Sequence, residues 1–236
     1  MILIITGCIK PSTKVPYLTI SNANKRLNDY IKTILWAIND TCYDKIVFCD
    51  NSGYSLDEQY YRKIASEKRK EFEYLSFNGD YESTIKYGKG YGEGEIMNYV
   101  INNSQLLNNE NSFSKITGRL IIKNINKLIK NENKNYFMNQ VKNYKVDTRF
   151  YHVNKQFFML NLIDSYKNVN DNNGYYLEHA YSASLKKTNN NYRSFYQKPL
   201  FYGESGSTGN KYNGLKNIRW FIISILCYLN LYNKIK

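Results

Sequence analysis

Two stretches near the middle of this 236-residue chain hold the residue types best suited to chemistry. The first is Gly88-Lys89-Gly90-Tyr91-Gly92-Glu93-Gly94-Glu95, and the second, one helix later, is Phe113-Ser114-Lys115-Ile116-Thr117-Gly118-Arg119. Glycines let backbone N–H groups approach an anion, a following helix adds its positive end, and Lys115 and Arg119 supply fixed charge. That combination suits a diphosphate. A lone Gly-rich run more often builds a turn, with its cations solvating a surface, but two such segments close together shift the balance toward a binding site.

The elements that must position these stretches follow from hydrophobic patterning. Ile2 to Ile5 is an all-apolar run, the form of a parallel strand covered on both faces. From Asn24, Leu27, Tyr30, Ile31, Ile34, Leu35 and Ile38 recur on one helical face, with Ser21 or Asn22 available as a cap. Lys45 to Cys49 reads as a second buried strand, so the chain opens as a right-handed strand-helix-strand unit. Ligands bind at the carboxyl ends of such strands, which puts Thr6-Gly7-Cys8 and Asp50-Asn51-Ser52 on one rim. There Asp50 could meet a base or ribose, or simply close an Asx turn with Asn51. The nicotinamide fingerprint G-x-G-x-x-G is missing after the first strand.

Further on, Leu56 to Lys70 reads as a helix, Phe72 to Phe77 as a strand, Ile96 to Leu107 as the helix after the glycine run, and Phe113 to Ile116 as a strand. Leu120 to Ile129 has helical spacing. Val146 to Tyr151 and Gln156 to Leu160 read as strand or strand-to-helix segments, Asp171 to Gly174 as a turn, and Tyr175 to Leu185 as a helix. Gly203 to Gly209 is a hydroxyl-rich loop, either an inert linker or a lid over an anion. The whole reads as an α/β fold with one main domain.

Composition narrows the partners. Thirty-three Lys and Arg against 20 Asp and Glu give a net charge of +13, which favours a nucleotide, a membrane surface or nucleic acid. The scattered Cys8, Cys42, Cys49 and Cys227 form no C-x-x-C pair, so zinc-ribbon and redox motifs are excluded, and they read as buried free thiols in a reducing compartment. Two histidines, His152 and His179, cannot alone form a metal site. The N-terminal apolar run lacks the form of a signal peptide and the stretch Trp220 to Tyr232 is too short to span a bilayer, so a cytoplasmic location is expected.

Taken in order, the apolar first strand, the amphipathic helix, Val47-Phe48-Cys49-Asp50-Asn51-Ser52-Gly53, the Gly88 to Glu95 run, Lys115-Ile116-Thr117-Gly118-Arg119 and Tyr176-Leu177-Glu178-His179 resemble bacterial glycosyltransferases of surface-polysaccharide loci. The resemblance covers residues 1–210 and rests on short motifs. It implies a GT-A-like nucleotide-diphospho-sugar transferase fold with a mixed, mostly parallel sheet flanked by helices. Residues 1–120 would be the nucleotide half and 121–210 the acceptor half, with 211–236 as a C-terminal basic and apolar helix. The implied reaction moves a sugar from a nucleotide-sugar donor to a lipopolysaccharide, capsule or lipid-linked glycan. The implied donor residues are Thr6, Gly7, Cys8, Asp50, Asn51, Ser52, Gly90, Gly92, Lys115, Thr117, Gly118 and Arg119.

The sequence departs from that family in having no Asp-x-Asp to hold a divalent metal; the corresponding place reads Lys115 to Arg119. Lys and Arg can neutralise a leaving diphosphate themselves, so no metal and no other cofactor is expected. An inverting transfer needs a base, and the family pattern points to Glu178, with Asp147 and Glu95 behind it and Arg149 and His179 on the acceptor side. The plainer alternative for Glu178 is a helix-favouring surface residue. A nucleotidyltransferase of the same fold class competes, although its glycine run would lie at the first strand. A basic nucleic-acid-binding module competes on charge, but no RRM, KH or zinc-knuckle signature is present and nucleic acid is not expected as a partner. The segment from Trp220 onward, flanked by Lys211, Lys216, Arg219, Lys234 and Lys236, is either a final core helix or an interfacial helix on the inner face of the cytoplasmic membrane.

Overall fold

Strand β1 (Ile2–Gly7) is buried along its whole length because helices cover both of its faces. Its side chains divide by parity: Leu3 and Ile5 enter one hydrophobic cluster, Ile2 and Ile4 the other. The computed structural model describes residues 1–15, 20–140, 145–189, 191–205 and 209–234, with Gln140 described by its backbone alone. Residues 206–208 of the hydroxyl-rich loop and Lys236 lie outside the described residues.

After β1 come α1 (Ala23–Asp40), β2 (Lys45–Asp50), α2 (Glu58–Glu67), β3 (Glu71–Ser76), α3 (Tyr81–Tyr87), α4 (Lys89–Asn103), β4 (Ser112–Thr117) and β5 (Leu120–Ile122). The chain continues through β6 (Asn139–Gln140), β7 (Lys145–Val146), β8 (Phe150–Asn154), α5 (Lys155–Asn161), α6 (Leu177–Lys187), β9 (Phe201–Glu204), β10 (Lys211–Asn213) and α7 (Ile218–Tyr228). The main sheet has the order β3-β2-β1-β4-β8, with the first four strands parallel and β8 antiparallel to β4. The α/β class with a mixed, mostly parallel sheet flanked by helices is therefore the observed one. β5 pairs with β9 and β9 with β10, all antiparallel, in a second sheet.

Helix α1 starts where its cap lies: Asn22 accepts a hydrogen bond from the Lys25 N–H. It lays Tyr30, Ile34 and Ile38 on one side of the sheet, while α4 and α6 lay Ile96, Met97, Val100, Leu177, Tyr181 and Leu185 on the other. Each such fully buried side chain contributes roughly 1.5–3 kcal/mol.

Three expectations are corrected here. Leu120 to Ile129 is no helix; Leu120, Ile121 and Ile122 pair with Gly203, Tyr202 and Phe201, and a 3-10 turn follows at Ile125–Lys127. Strand pairing with a segment some 80 residues away overrode the local periodicity, as tertiary context commonly does. The glycine run is not a loop before a helix either. All of it after Gly88 belongs to α4, and Gly88, at φ +99°, separates α3 from α4. The cysteines also differ: Cys49 and Cys227 are buried, Cys8 is half-buried and Cys42 is exposed.

Candidate functional site at the carboxyl edge of the sheet

Parallel register sets the site. Gly7 lies level with Asp50, Thr6 with Thr117, and Asp50 with Ser76, so the segments that leave β1, β2, β3 and β4 emerge along one edge. Thr6 to Cys8, Asp50 to Ser52 and Thr117 to Arg119 are thus brought together. Close contact seals the joint: the Gly118 N–H donates to Thr6 O at 2.9 Å, and a Cβ at Gly118 would sit 2.5 Å from that oxygen and from the Tyr30 ring. Only glycine fits there.

Asp50 is turned inward. It is 0% exposed, and its carboxylate accepts from Ile9 N at 2.6 Å, Ser52 N at 2.9 Å, Tyr54 N at 3.2 Å and the Ser52 hydroxyl. The Asx-type role holds, widened into a clamp that fixes the segment after β1 against the one after β2. Ser52 adds a bond from Lys10 N to its Oγ. Asn51 donates to Gly92 O at 3.5 Å, and its Oδ1 is buried without a partner. Burial pushes the Cys8 thiol up to about 12, beyond the range of a reactive thiolate.

The glycines of α4 let other parts of the chain approach the helix. A Cβ at Gly94 would lie 2.0 Å from Tyr166, one at Gly92 would meet Asn51 and Thr84, and one at Gly90 would meet Val169, Asp171 and Leu177. The anion seat at the start of α4 is filled from within: Asp171, 3% exposed, accepts from Gly90 N at 3.3 Å. Burial raises the Asp171 pKa, offset by that hydrogen bond and by Lys89. At Gly90 the expected diphosphate position is therefore taken by a carboxylate of the chain itself, while Gly92 faces Asn51 and Thr84.

Lys115 and Arg119, four residues apart, have opposite fates. Lys115 is 0% exposed, and its ammonium is paired with Glu93 and donates to Thr117 Oγ1 and Thr148 O, each at 2.9 Å. Such a pair holds α4 to β4, and breaking it would leave a carboxylate uncompensated. Arg119 has φ +68°, an uncommon conformation for a residue with a Cβ. Its Nε and Nη1 are buried without a hydrogen-bond partner, beside the Tyr30 ring with Cζ 5.9 Å from the centroid. Unmatched buried donors of this kind each cost about 1–3 kcal/mol, more when charged, which sets Arg119 apart from the paired Lys115.

Glu178, the second residue of α6, makes no ion pair among the described residues. Its pKa is raised by burial first, and then by the carboxylates of Glu93 and Asp147. Asp147 itself is held in a two-point pair with Arg149, whose guanidinium stacks over Phe201 at 4.2 Å and Tyr212 at 5.0 Å. Glu95 accepts from Asp80 N at 2.8 Å, keeps a partnerless buried Oε2, and has its pKa raised by burial. Burial lowers the Lys89 pKa, and the group lies within Coulombic reach of Asp171, Glu178, Glu93 and Arg119.

The histidines serve the scaffold. His179 accepts from Tyr176 N at 3.1 Å and closes the first turn of α6, stacked between Tyr175 and Tyr176. His152 is buried between Ser114 Oγ and Glu132 O, and burial pushes its pKa down to about 4. Among the described residues no group of three or more His, Cys, Asp or Glu is placed to hold a metal ion. Two cavities, of about 450 and 330 Å³, are lined by other parts of the chain.

Sequence reasoning missed Glu93, Asp171 and Lys89. Glu93 was legible as a charge inside the glycine run, and a helical reading would have set it apart from Glu95. Asp171 carried no local sign beyond its turn.

No protein-family model matches this sequence, and no curated protein matches it. Among solved structures, the chain is similar to the glycosyltransferase GlyE of Streptococcus pneumoniae TIGR4, with 12% identity, TM-score 0.47, and 82% of this chain against 44% of that one. It spans less than half the length of that neighbour. It is also similar to a candidate nucleotide-diphospho-sugar transferase from Desulfovibrio desulfuricans G20 (9% identity, TM-score 0.46, 80% of this chain and 75% of that). A third neighbour is core-mannan synthase A of Aspergillus fumigatus in a Mn/GDP form, with 8% identity, TM-score 0.46, and 94% of this chain against 81% of that one.

Proposed function

We propose that this protein transfers a sugar from a nucleotide-diphosphate donor to an acceptor hydroxyl. The observation that carries the reading is the Arg119 guanidinium, with two buried N–H donors lacking acceptors at the carboxyl edge of a parallel sheet. Diphosphate oxygens can accept from such charged donors. In this reading the donor lies along Thr6 to Cys8 and Thr117 to Arg119, with Asp50 and Ser52 shaping the rim from behind rather than touching it.

Glu178 is the base. As the acceptor oxygen bonds to the anomeric carbon, its proton passes to the Glu178 carboxylate and the bond from that carbon to the diphosphate oxygen breaks. The nucleoside diphosphate leaves with the electron pair, and Arg119 hydrogen-bonds the charge that develops on it. A raised pKa makes the Glu178 carboxylate a stronger base, which favours the proton transfer. Transfer without a protein-held metal is part of the proposal, supported by an arginine where the family's metal ligands would be. A lipopolysaccharide, capsular or lipid-linked glycan acceptor rests on the sequence resemblance.

The test is a thermal-shift screen of UDP, GDP and CMP and their sugars, followed by nucleotide release from the sugar that binds, with and without EDTA. Stabilisation of the native chain and its loss in Arg119→Ala are expected, with turnover unchanged by EDTA. Equal stabilisation of the two proteins would remove Arg119 from the site, and activity lost in EDTA and restored by manganese would restore a metal to the reaction.

A further inference from the structure

Helix α7 is apolar on two opposite faces, and only one of them is covered. Trp220, Ser224 and Cys227 point inward; Trp220 Nε1 donates to Lys198 O, and Ser224 Oγ accepts from Lys198 N. On the other side Ile218, Phe221, Ile222, Ile225 and Leu229 follow the spacing of a single helical face, with exposures of 81, 53, 55, 60 and 56%. A helix that finishes a soluble core carries polar residues on that face. An apolar stripe of this extent marks a contact surface.

The charge around the stripe identifies its partner. After Glu204 the sequence contains no Asp or Glu, and Lys216 and Arg219 lie at the start of α7 with Lys234 beyond its end. Lys130 borders it, with Nζ 5.6 Å from the Tyr228 ring centroid. Beside the helix start, a cavity of about 450 Å³ is lined by Lys123, Lys127, Gln197, Leu215 and Lys216. Apolar side chains ringed by cations, next to a cationic hollow, match a surface that is apolar within and anionic at its head groups. Nucleic acid would leave the apolar stripe facing water. A second copy would set Lys216, Arg219 and Lys130 against the same cationic fringe.

We propose that α7 lies in the plane of an anionic phospholipid surface, with the stripe from Ile218 to Leu229 in the acyl boundary and a lipid phosphate in the Lys123–Lys127–Lys216 cavity. At 11 residues α7 is about 16 Å long, roughly half of what spanning requires. No helix among the described residues is long and apolar enough to cross a membrane. This inference is independent of the sugar-transfer reading and deepens the earlier choice between core and interface: α7 is both, one face each.

The experiment is flotation of the full chain with phosphatidylcholine vesicles, with and without phosphatidylglycerol, alongside light scattering without lipid. The native protein should float with anionic vesicles only, and salt should release it. Ile222→Glu/Ile225→Glu changes two exposed side chains, so it should keep the native melting temperature and lose flotation. Lys123→Glu/Lys127→Glu should weaken binding by roughly 30-fold or more, since each lysine near such a surface contributes several-fold. The proposal is overturned if the native protein ignores anionic vesicles at low salt, or if the double glutamate variant floats as well as the native. It is equally overturned if the native chain is a dimer that this variant splits and neither form binds vesicles; a second copy is then the occupant. Nucleotide thermal shifts in the same variants should match the native, so failure here leaves the function proposal standing.

Discussion

Two guanidinium groups flank the same ring, Arg26 with Cζ 5.8 Å and Arg119 with Cζ 5.9 Å from the centroid of Tyr30, and they differ in everything else. Arg26 donates to Cys8 O at 2.6 Å, Ile20 O at 2.9 Å and the Tyr30 hydroxyl at 3.0 Å, and so holds the chain after β1 to α1. Arg119, beside the same ring, has two buried N–H groups with no acceptor among the described residues. A second pair repeats the contrast in carboxylates: Glu93 is paired with Lys115, while Glu178 has no ion pair among the described residues and a raised pKa. Like residues a short distance apart are thus divided into groups that hold the fold and groups left for something else. Residue type and charge do not distinguish them; the state of their hydrogen bonds does.

The sharpest test of that division is the carboxylate pair. Glu178→Gln keeps shape and removes the base, so transfer should fall about 1,000-fold with donor binding retained, as measured by single-turnover rate and nucleotide thermal shift. An unaltered rate would return Glu178 to the scaffold. The next effect is on stability. Arg26→Ala removes three charge-assisted hydrogen bonds, to Cys8 O, Ile20 O and the Tyr30 hydroxyl, and should cost about 3 kcal/mol, lowering the melting temperature by roughly 6–12 °C. Arg119→Ala removes donors that no protein group needs, so the melting temperature should hold or rise while turnover drops about 30-fold, near 2 kcal/mol of transition-state stabilisation. A variant as unstable as Arg26→Ala would mean that Arg119 belongs to the scaffold after all.

The smallest effect lies in pH. Transfer needs ionised Glu178, so the rate should fall as pH drops through a midpoint above the ordinary glutamate value of 4.5. Because the folded state holds that proton more tightly than the unfolded chain does, this group destabilises as pH rises through the same window. Acid loss of rate through Glu178 is therefore not unfolding. His152 has the opposite sign: its pKa is lowered from 6.5 to about 4, so its contribution is full above 6.5 and is lost as pH falls toward 4. Melting temperature against pH, measured apart from rate, should show the histidine slope in the native chain and a weaker one in His152→Gln.

By itself the sequence determined the parallel core. The apolar runs at Ile2 to Ile5 and Lys45 to Cys49 and the face of α1 have the periodicities that burial on two sides and on one side require, and Asn22 caps where its type and place predict. Since β1, β2 and β4 are parallel, the same patterns also placed Thr6, Asp50 and Arg119 on one edge. What each side chain does on that edge was decided only in three dimensions. Asp50 is closed by backbone N–H groups from two segments, the start of α4 by an aspartate some 80 residues downstream, and Lys115 by Glu93 on a neighbouring helix. Even the strand at Leu120 needed Phe201 to Gly203 before it could exist. Local sequence shows the inventory of donors and acceptors. Which of them are satisfied depends on contacts between segments distant along the chain, and only folding creates those.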